Sequence, residues 1–304
     1  MLTARGDWAA LRLMRLLTLL LFACLVARAS GMEVSSNELE KARAERVQRL
    51  TAADGWLTLI GLHWLSLGEN TVGSAPDNTL RFAAGPAHFG RVTLGPDGRV
   101  TVQLADEVTA TIQGQAVRTG ELSYGNAQPT LVAAGTVSFF VIKRGDKLGL
   151  RVKDRASERR RDFVGLDYFP FDASWRMEAQ WVPFAEPRQV PITNMLGQIA
   201  PAPVPGKAVF TREGRTYELF PIDEGPGEPL FFVISDATSG EETYAAARFL
   251  YAERPRDGKI VLDFNRAENP PCAFTPFATC PLPPPENRFP VRIEAGEKNC
   301  RGAH

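Results

Sequence analysis

Three late segments hold the side chains best suited to acid–base or binding chemistry. In "SDATSGEETYAAARF", Ser235 and Asp236 end the apolar run "LFFVI", a turn follows at Thr238-Ser239-Gly240, and Thr243, Tyr244 and Arg248 lead the next run. In "LDFNRAENPPC", period-two alternation puts Asp263 and Asn265 on one strand face and Leu262 and Phe264 on the other. The third segment adds Glu286, Asn287, Glu297 and Lys298. Carboxylates can move protons, so Asp236 and Asp263 are the first catalytic candidates, with Glu286 and Glu297 behind them. Arg248 or Lys298 would orient an anionic substrate, while Thr238, Thr243, Tyr244, Asn265, Asn269 and Asn287 would supply hydrogen bonds. The competing reading is that these residue types only cap turns and strand ends, which they commonly do.

Beside them runs "NPPCAFTPFATCPLPPPEN", residues 269 to 287. So many prolines exclude a helix or a central strand, leaving a stiff loop that either clamps the structure or walls a pocket. Cys272 and Cys280 lie in it, and three readings stay open for them. A structural disulfide closing a small loop would stabilise by roughly 2–3 kcal/mol, a metal or haem pair lacks a matching spacing and histidine partner, and a free reactive thiol needs exposure and a lowered pKa. Cys300 sits in the tail "NCRGAH".

What is missing narrows the chemistry. The chain has no G-x-S-x-G elbow, H-E-x-x-H, Walker loop or G-x-G-x-x-G, and its three histidines are His63, His88 and His304. No cofactor or metal is expected. Lys+Arg and Asp+Glu balance at 35 each, which gives no electrostatic reason for a nucleic-acid or anionic-membrane partner. The expected partner is a small polar ligand; nothing fixes the oligomeric state.

The N-terminus reads as an export signal over residues 1–29. Arg5, Arg12 and Arg15 precede the apolar run "LLTLLLFACLV", and "ARA" supplies small residues before Ser30. The run is about half the roughly 20 residues a spanning helix needs, so no stable membrane span is expected after cleavage. Lipoprotein anchoring through Cys24 is the alternative, with Phe22 awkwardly placed for it. The protein is thus expected to be periplasmic or secreted, where nearby thiols tend to pair.

The positioning elements read as mainly β. Residues 30–55 hold a short amphipathic helix with a Ser35–Glu38 capping box, stopping at Asp54-Gly55. Short alternating runs between turn signals over 56–154 predict a β-sandwich. Residues 155–176, with the cluster Glu158 to Asp162, read as a linker or short helix. Residues 177–304 form a second β-rich domain, with hairpin turns at Glu213-Gly214 and Asp257-Gly258. "ETYAAARFLYA" is read as a strand despite its alanines.

The stretch "SLGENTVGSAPDNTLRFAAGPAHFGRVTLGPDGRVTVQ" resembles a forkhead-associated domain. The resemblance implies a sandwich over 56–154 but not phosphopeptide binding, because Ser74 follows Gly73 where that family has arginine, and Pro86-Ala87 stand where it has serine. "DGWLTLIGLHWLSLGENTVGS", "PFDASWR", "DATSGEETYAAARFL" and "LDFNRAENPPCAFTPFATCPLPPPENRFPVRIEAGEK" resemble the uncharacterised DUF1684 family across the mature chain. That family implies one unit but no activity. The sequence therefore predicts binding or hydrolysis of a small polar ligand at a carboxylate and amide site in the C-terminal half. The rivals are a non-enzymatic envelope interaction module with the Pro-Cys loop as its clamp, and a thiol redox protein.

Overall fold

A computed structural model describes residues 37–125 and 128–301. The expected signal segment (residues 1–29), Cys24, Ser35 and His304 lie outside the described residues. The chain divides into one compact unit that ends at Glu45 and a second spanning Arg46 to His304. Helix α1 covers residues 37–51, and the Gly55 amide closes the following turn onto the Ala52 carbonyl at 3.0 Å. Gly55 is required here, since a Cβ would sit 2.4 Å from the Leu50 carbonyl oxygen. Among the described residues no helix is long and apolar enough to cross a membrane.

The first half is a β-sandwich. Its strands are β1 (Leu59–Trp64), β2 (Gly68–Gly73), β3 (Leu80–Arg81), β4 (Gly90–Leu94), β5 (Val100–Leu104), β6 (Thr111–Ile112), β7 (Thr119–Glu121), β8 (Val132–Ala134), β9 (Val137–Arg144) and β10 (Lys147–Asp154). One sheet runs β1-β10-β9-β8-β6 and the other β3-β2-β4-β5-β7. Alternation sets the inner faces: Val100, Val102 and Leu104 of β5 are buried, as are Val137, Phe139 and Val141 of β9. Phe82, Phe89 and Phe139 meet edge-on at the centre, with ring centroids 5.2–6.3 Å apart. Burying each such ring contributes roughly 1.5–3 kcal/mol.

A short helix, Glu158–Arg161, lies in the joint, its first turn closed by the Ser157 hydroxyl. The second half adds β11 (Arg176–Thr193), β12 (Ile199–Arg212), β13 (Arg215–Leu219), β14 (Ile222–Asp223), β15 (Leu230–Ile234), β16 (Arg248–Ala252) and β17 (Lys259–Asp263). They form the sheets β13-β12-β11-β17 and β14-β15-β16. β15 is buried on both faces: Leu230, Phe232 and Ile234 join the core around Trp175 and Phe264, while Phe231 and Val233 pack with Cys272 and Cys280. Its sequence is accordingly an unbroken apolar run. Glu213 and Gly214 both have positive φ, 52° and 74°, and so do Asp257 and Gly258, as a two-residue hairpin turn requires.

Two local expectations need correction. Only Arg248–Ala252 of "ETYAAARFLYA" is strand, because Thr238 to Thr243 close a hydrogen-bonded turn before it. Asp263 and Asn265 do not share a strand face. β17 ends at Asp263, which caps a 3-10 turn over Phe264–Arg266 by accepting from the Asn265 amide.

Candidate functional site

The residues nominated from sequence fall into separate places, most of them in buried networks, instead of one pocket. Asp236 Oδ2 accepts from Arg248 Nη2 at 2.5 Å, and Asp236 Oδ1 accepts from the Thr238 amide at 2.8 Å, the Thr238 hydroxyl at 2.7 Å and the Ile293 amide at 3.2 Å. Thr238 and Thr243 share a hydrogen bond of 2.9 Å. Arg248 also donates to the carbonyls of Ile293 and Ala295. Burial lowers its pKa, and Asp236 pulls the other way. This cluster therefore clamps residues 291–295 to β16.

A second network holds Glu297. Arg46 Nε donates to it at 3.0 Å and the Asn269 amide at 2.7 Å, while Asn269 Nδ2 donates to the Lys298 carbonyl at 2.7 Å. Burial raises the Glu297 carboxyl above its ordinary 4.5, against the pull of Arg46 and the Asn269 N–H. The Lys298 ammonium lies 4.6 Å from the centre of the Phe169 ring. In a third place Asn287 is wholly buried, bonding the backbone of Phe220 and the Val233 carbonyl. Tyr244 donates to the Cys272 carbonyl at 3.1 Å. Glu286 is exposed in a 3-10 turn.

The expected disulfide is absent. Cys272 and Cys280 are free, buried thiols that hydrogen-bond one another, and the Cys272 amide donates to Cys280 Sγ at 3.2 Å. Packed among Phe231, Val233 and Phe249, they act as small apolar side chains with local partners. Their loop is a clamp. Thr275 Oγ1 donates to the Leu59 carbonyl at 3.1 Å, Arg144 donates to Thr279 at 2.8 Å, and Leu282 and Met195 exchange backbone hydrogen bonds with Thr193 and Cys280. Sandwich and second half are thereby tied to the same loop.

A cleft of about 690 Å³ opens elsewhere in the second half. One wall is Phe169-Pro170-Phe171-Asp172 with Trp175, another is Pro290 to Arg292 with Glu294, and the β12–β13 tip supplies Arg212 and Glu213. The Arg212 guanidinium lies 3.5 Å from the centre of the Trp175 ring and donates to the Ser174 carbonyl and hydroxyl at 3.0 and 3.3 Å. Arg292 is engaged by Glu241, Glu242 and Glu294. The lining thus joins aromatic rings with two guanidiniums and the carboxylates of Asp172, Glu213 and Glu294.

None of the sequence-nominated residues lines this cleft, yet several hold its walls. Asn265 accepts from the Asp172 amide at 3.1 Å and donates to the Asp172 carbonyl at 2.9 Å. Asp236 and Arg248 fix the backbone at Ile293. The Phe169 amide donates to the Gly296 carbonyl at 3.0 Å. Gly296 has φ of 81°, and a Cβ there would sit 2.5 Å from the Ala267 carbonyl oxygen. Sequence reasoning missed Phe171, Asp172, Trp175, Arg212 and Arg292. The available signal was the proline-bent aromatic run "YFPFDASWR", read as the opening of the second half. Among the described residues no group of three or more His, Cys, Asp or Glu side chains is placed to hold a metal ion.

Fold and site define a two-part β protein with a ligand-sized cleft in its second half. Residues 161–298 match the family described as "Protein of unknown function (DUF1684)". The match begins after the sandwich, so it is narrower than the whole mature chain expected from the motifs. The solution NMR structure of an uncharacterized protein from Haloarcula marismortui is 31% identical, covering 46% of this chain and 78% of that chain, with a TM-score of 0.39. The crystal structure of Rad53 1-466 in complex with AMP-PNP is 13% identical, covering 73% of this chain and 51% of that one, with a TM-score of 0.18, a likeness that carries no argument. No curated protein matches the chain.

Proposed function

We propose that this protein works outside the cytoplasm and binds a small polar ligand in the cleft of its C-terminal half. The observation that carries the reading is the 690 Å³ cleft lined by Phe171 and Trp175, a volume in the usual range for small-molecule sites. Arg212 spends two of its five N–H donors on Ser174 and keeps the rest for a ligand acceptor. Glu213 and Glu294 can accept from ligand donors. A ligand with one flat face and both donor and acceptor groups fits these walls. Binding is favoured over hydrolysis because Asp236, Asp263 and Glu297 sit in buried or turn-capping hydrogen bonds, while Glu286 is exposed and does not line the cleft. The exported location rests on the N-terminal pattern alone.

The test is a thermal-shift screen of the mature chain against sugars, nucleotides, amino acids and aromatic acids, with hits repeated on Arg212→Ala and Phe171→Ala. A ligand at about 100 times its Kd stabilises by roughly 2.7 kcal/mol, and both variants should lose most of that gain. A screen without hits, or hits that shift both variants as much as wild type, refutes the cleft as the site. The second reading, an envelope interaction module, draws on the Pro-Cys loop acting as a clamp with both halves tied to it.

A further inference from the structure

A separate cavity of about 450 Å³ lies on the N-terminal sandwich, where the Pro-Cys loop leans over it. His63 of β1, Ser74 after β2, Arg81 of β3, Phe82 and, from the loop, Phe277 face it. We infer that this cavity is a second binding site, for a small ligand bearing a carboxylate or phosphate group on an apolar body.

His63 is seated rather than loose. Its ring lies 5.3 Å from that of Phe82 and directly over Gly61, where a Cβ would stand 2.7 Å from Nε2. Gly61 and His63 are two apart on one strand, so they share a face, and only glycine lets the ring settle there. Neither ring nitrogen makes a hydrogen bond among the described residues. Arg81 donates from Nε to the Ser74 carbonyl at 3.2 Å, which fixes its orientation and leaves both terminal nitrogens without a partner among the described residues. The Ser74 hydroxyl is committed to the carbonyls of Gly85 and Pro86, so it shapes the wall.

Charge decides the ligand class. The lining carries Arg81 and His63 but no acidic side chain. Behind Phe277 the Arg159 guanidinium lies 5.8 Å from the ring centre. Arg81 is the fixed positive charge of the lining, no carboxylate there answers it, and burial keeps the His63 imidazole toward its neutral form, as an N–H donor. A guanidinium facing two phenyl rings suits an oxyanion attached to an apolar body. A guanidinium with its terminal nitrogens free is the side chain best matched to a two-oxygen anion.

The experiment titrates benzoate and phenyl phosphate separately into the full chain, following the imidazole signals of His63 and His88 by NMR, with benzamide as the uncharged control. At least one anion should shift His63 saturably while leaving His88 and the benzamide titration flat. Whichever anion binds tighter tells carboxylate from phosphate. Losing charge-assisted hydrogen bonds should weaken binding roughly tenfold or more in Arg81→Gln. Arg81→Lys keeps the charge without the fork, and a several-fold loss there is the second readout should Arg81→Gln fail to fold. No saturable shift with either anion, an equal shift with benzamide, or wild-type affinity in the variants would overturn the site.

Discussion

Replacing Asp236 by alanine separates a structural role from a catalytic one. The carboxylate is fully buried and its partner Arg248 is 1% exposed, with 2.5 Å between Oδ2 and Nη2. Three further donors, the Thr238 amide and hydroxyl and the Ile293 amide, converge on Oδ1. Removing the carboxylate leaves a guanidinium in the interior without its counter-charge, a change that typically costs 3–5 kcal/mol, so the expected loss is about that. At about 2.1 cal/mol/K of unfolding entropy per residue, that converts to a fall in melting temperature of roughly 5–8 °C for a chain of this size. Urea unfolding followed by tryptophan fluorescence reads the loss directly. Asp236→Ala combined with Arg248→Met should recover part of it, since the stranded charge goes too. A variant within about 1 kcal/mol of wild type would refute the argument and return Asp236 to the list of catalytic candidates.

Acid sensitivity should trace in part to His63. Burial lowers its pKa from the ordinary 6.5, so its contribution to stability is complete above 6.5 and is lost as pH falls through the lowered folded value. His63→Gln should therefore show a smaller drop in urea midpoint between pH 7.5 and pH 5.5 than wild type, and an unchanged drop would rule His63 out. Cys272 and Cys280 should resist alkylation in the native protein and react promptly in denaturant, because both thiols are buried. A mass lower by about two units when reductant is omitted would contradict the reduced pair.

Much of the fold was legible locally. Period-two runs such as "RVTVQL" announced β5, the pairs Glu213-Gly214 and Asp257-Gly258 announced hairpin turns, and the apolar "LFFVI" announced a strand. The proline-rich stretch was recognisable as a loop because proline removes donors and fixes φ wherever it stands. These are properties of neighbouring residues. The sequence settled them because alternation and turn chemistry act over a few positions.

What each polar side chain faces was decided only by the tertiary structure. An aspartate at the end of a strand reads the same whether it points into a cleft or into a buried guanidinium. Asp236 meets Arg248 12 residues on and the Ile293 amide 57 residues on, and Glu297 meets Arg46 across 251 residues. The cleft likewise gathers residues 169–175, 212–213 and 290–294, whose spacing in the chain carries no common period. Desolvation rewards pairing wherever the fold brings opposite charges together. That choice of partner depends on distance in space, which periodicity does not encode.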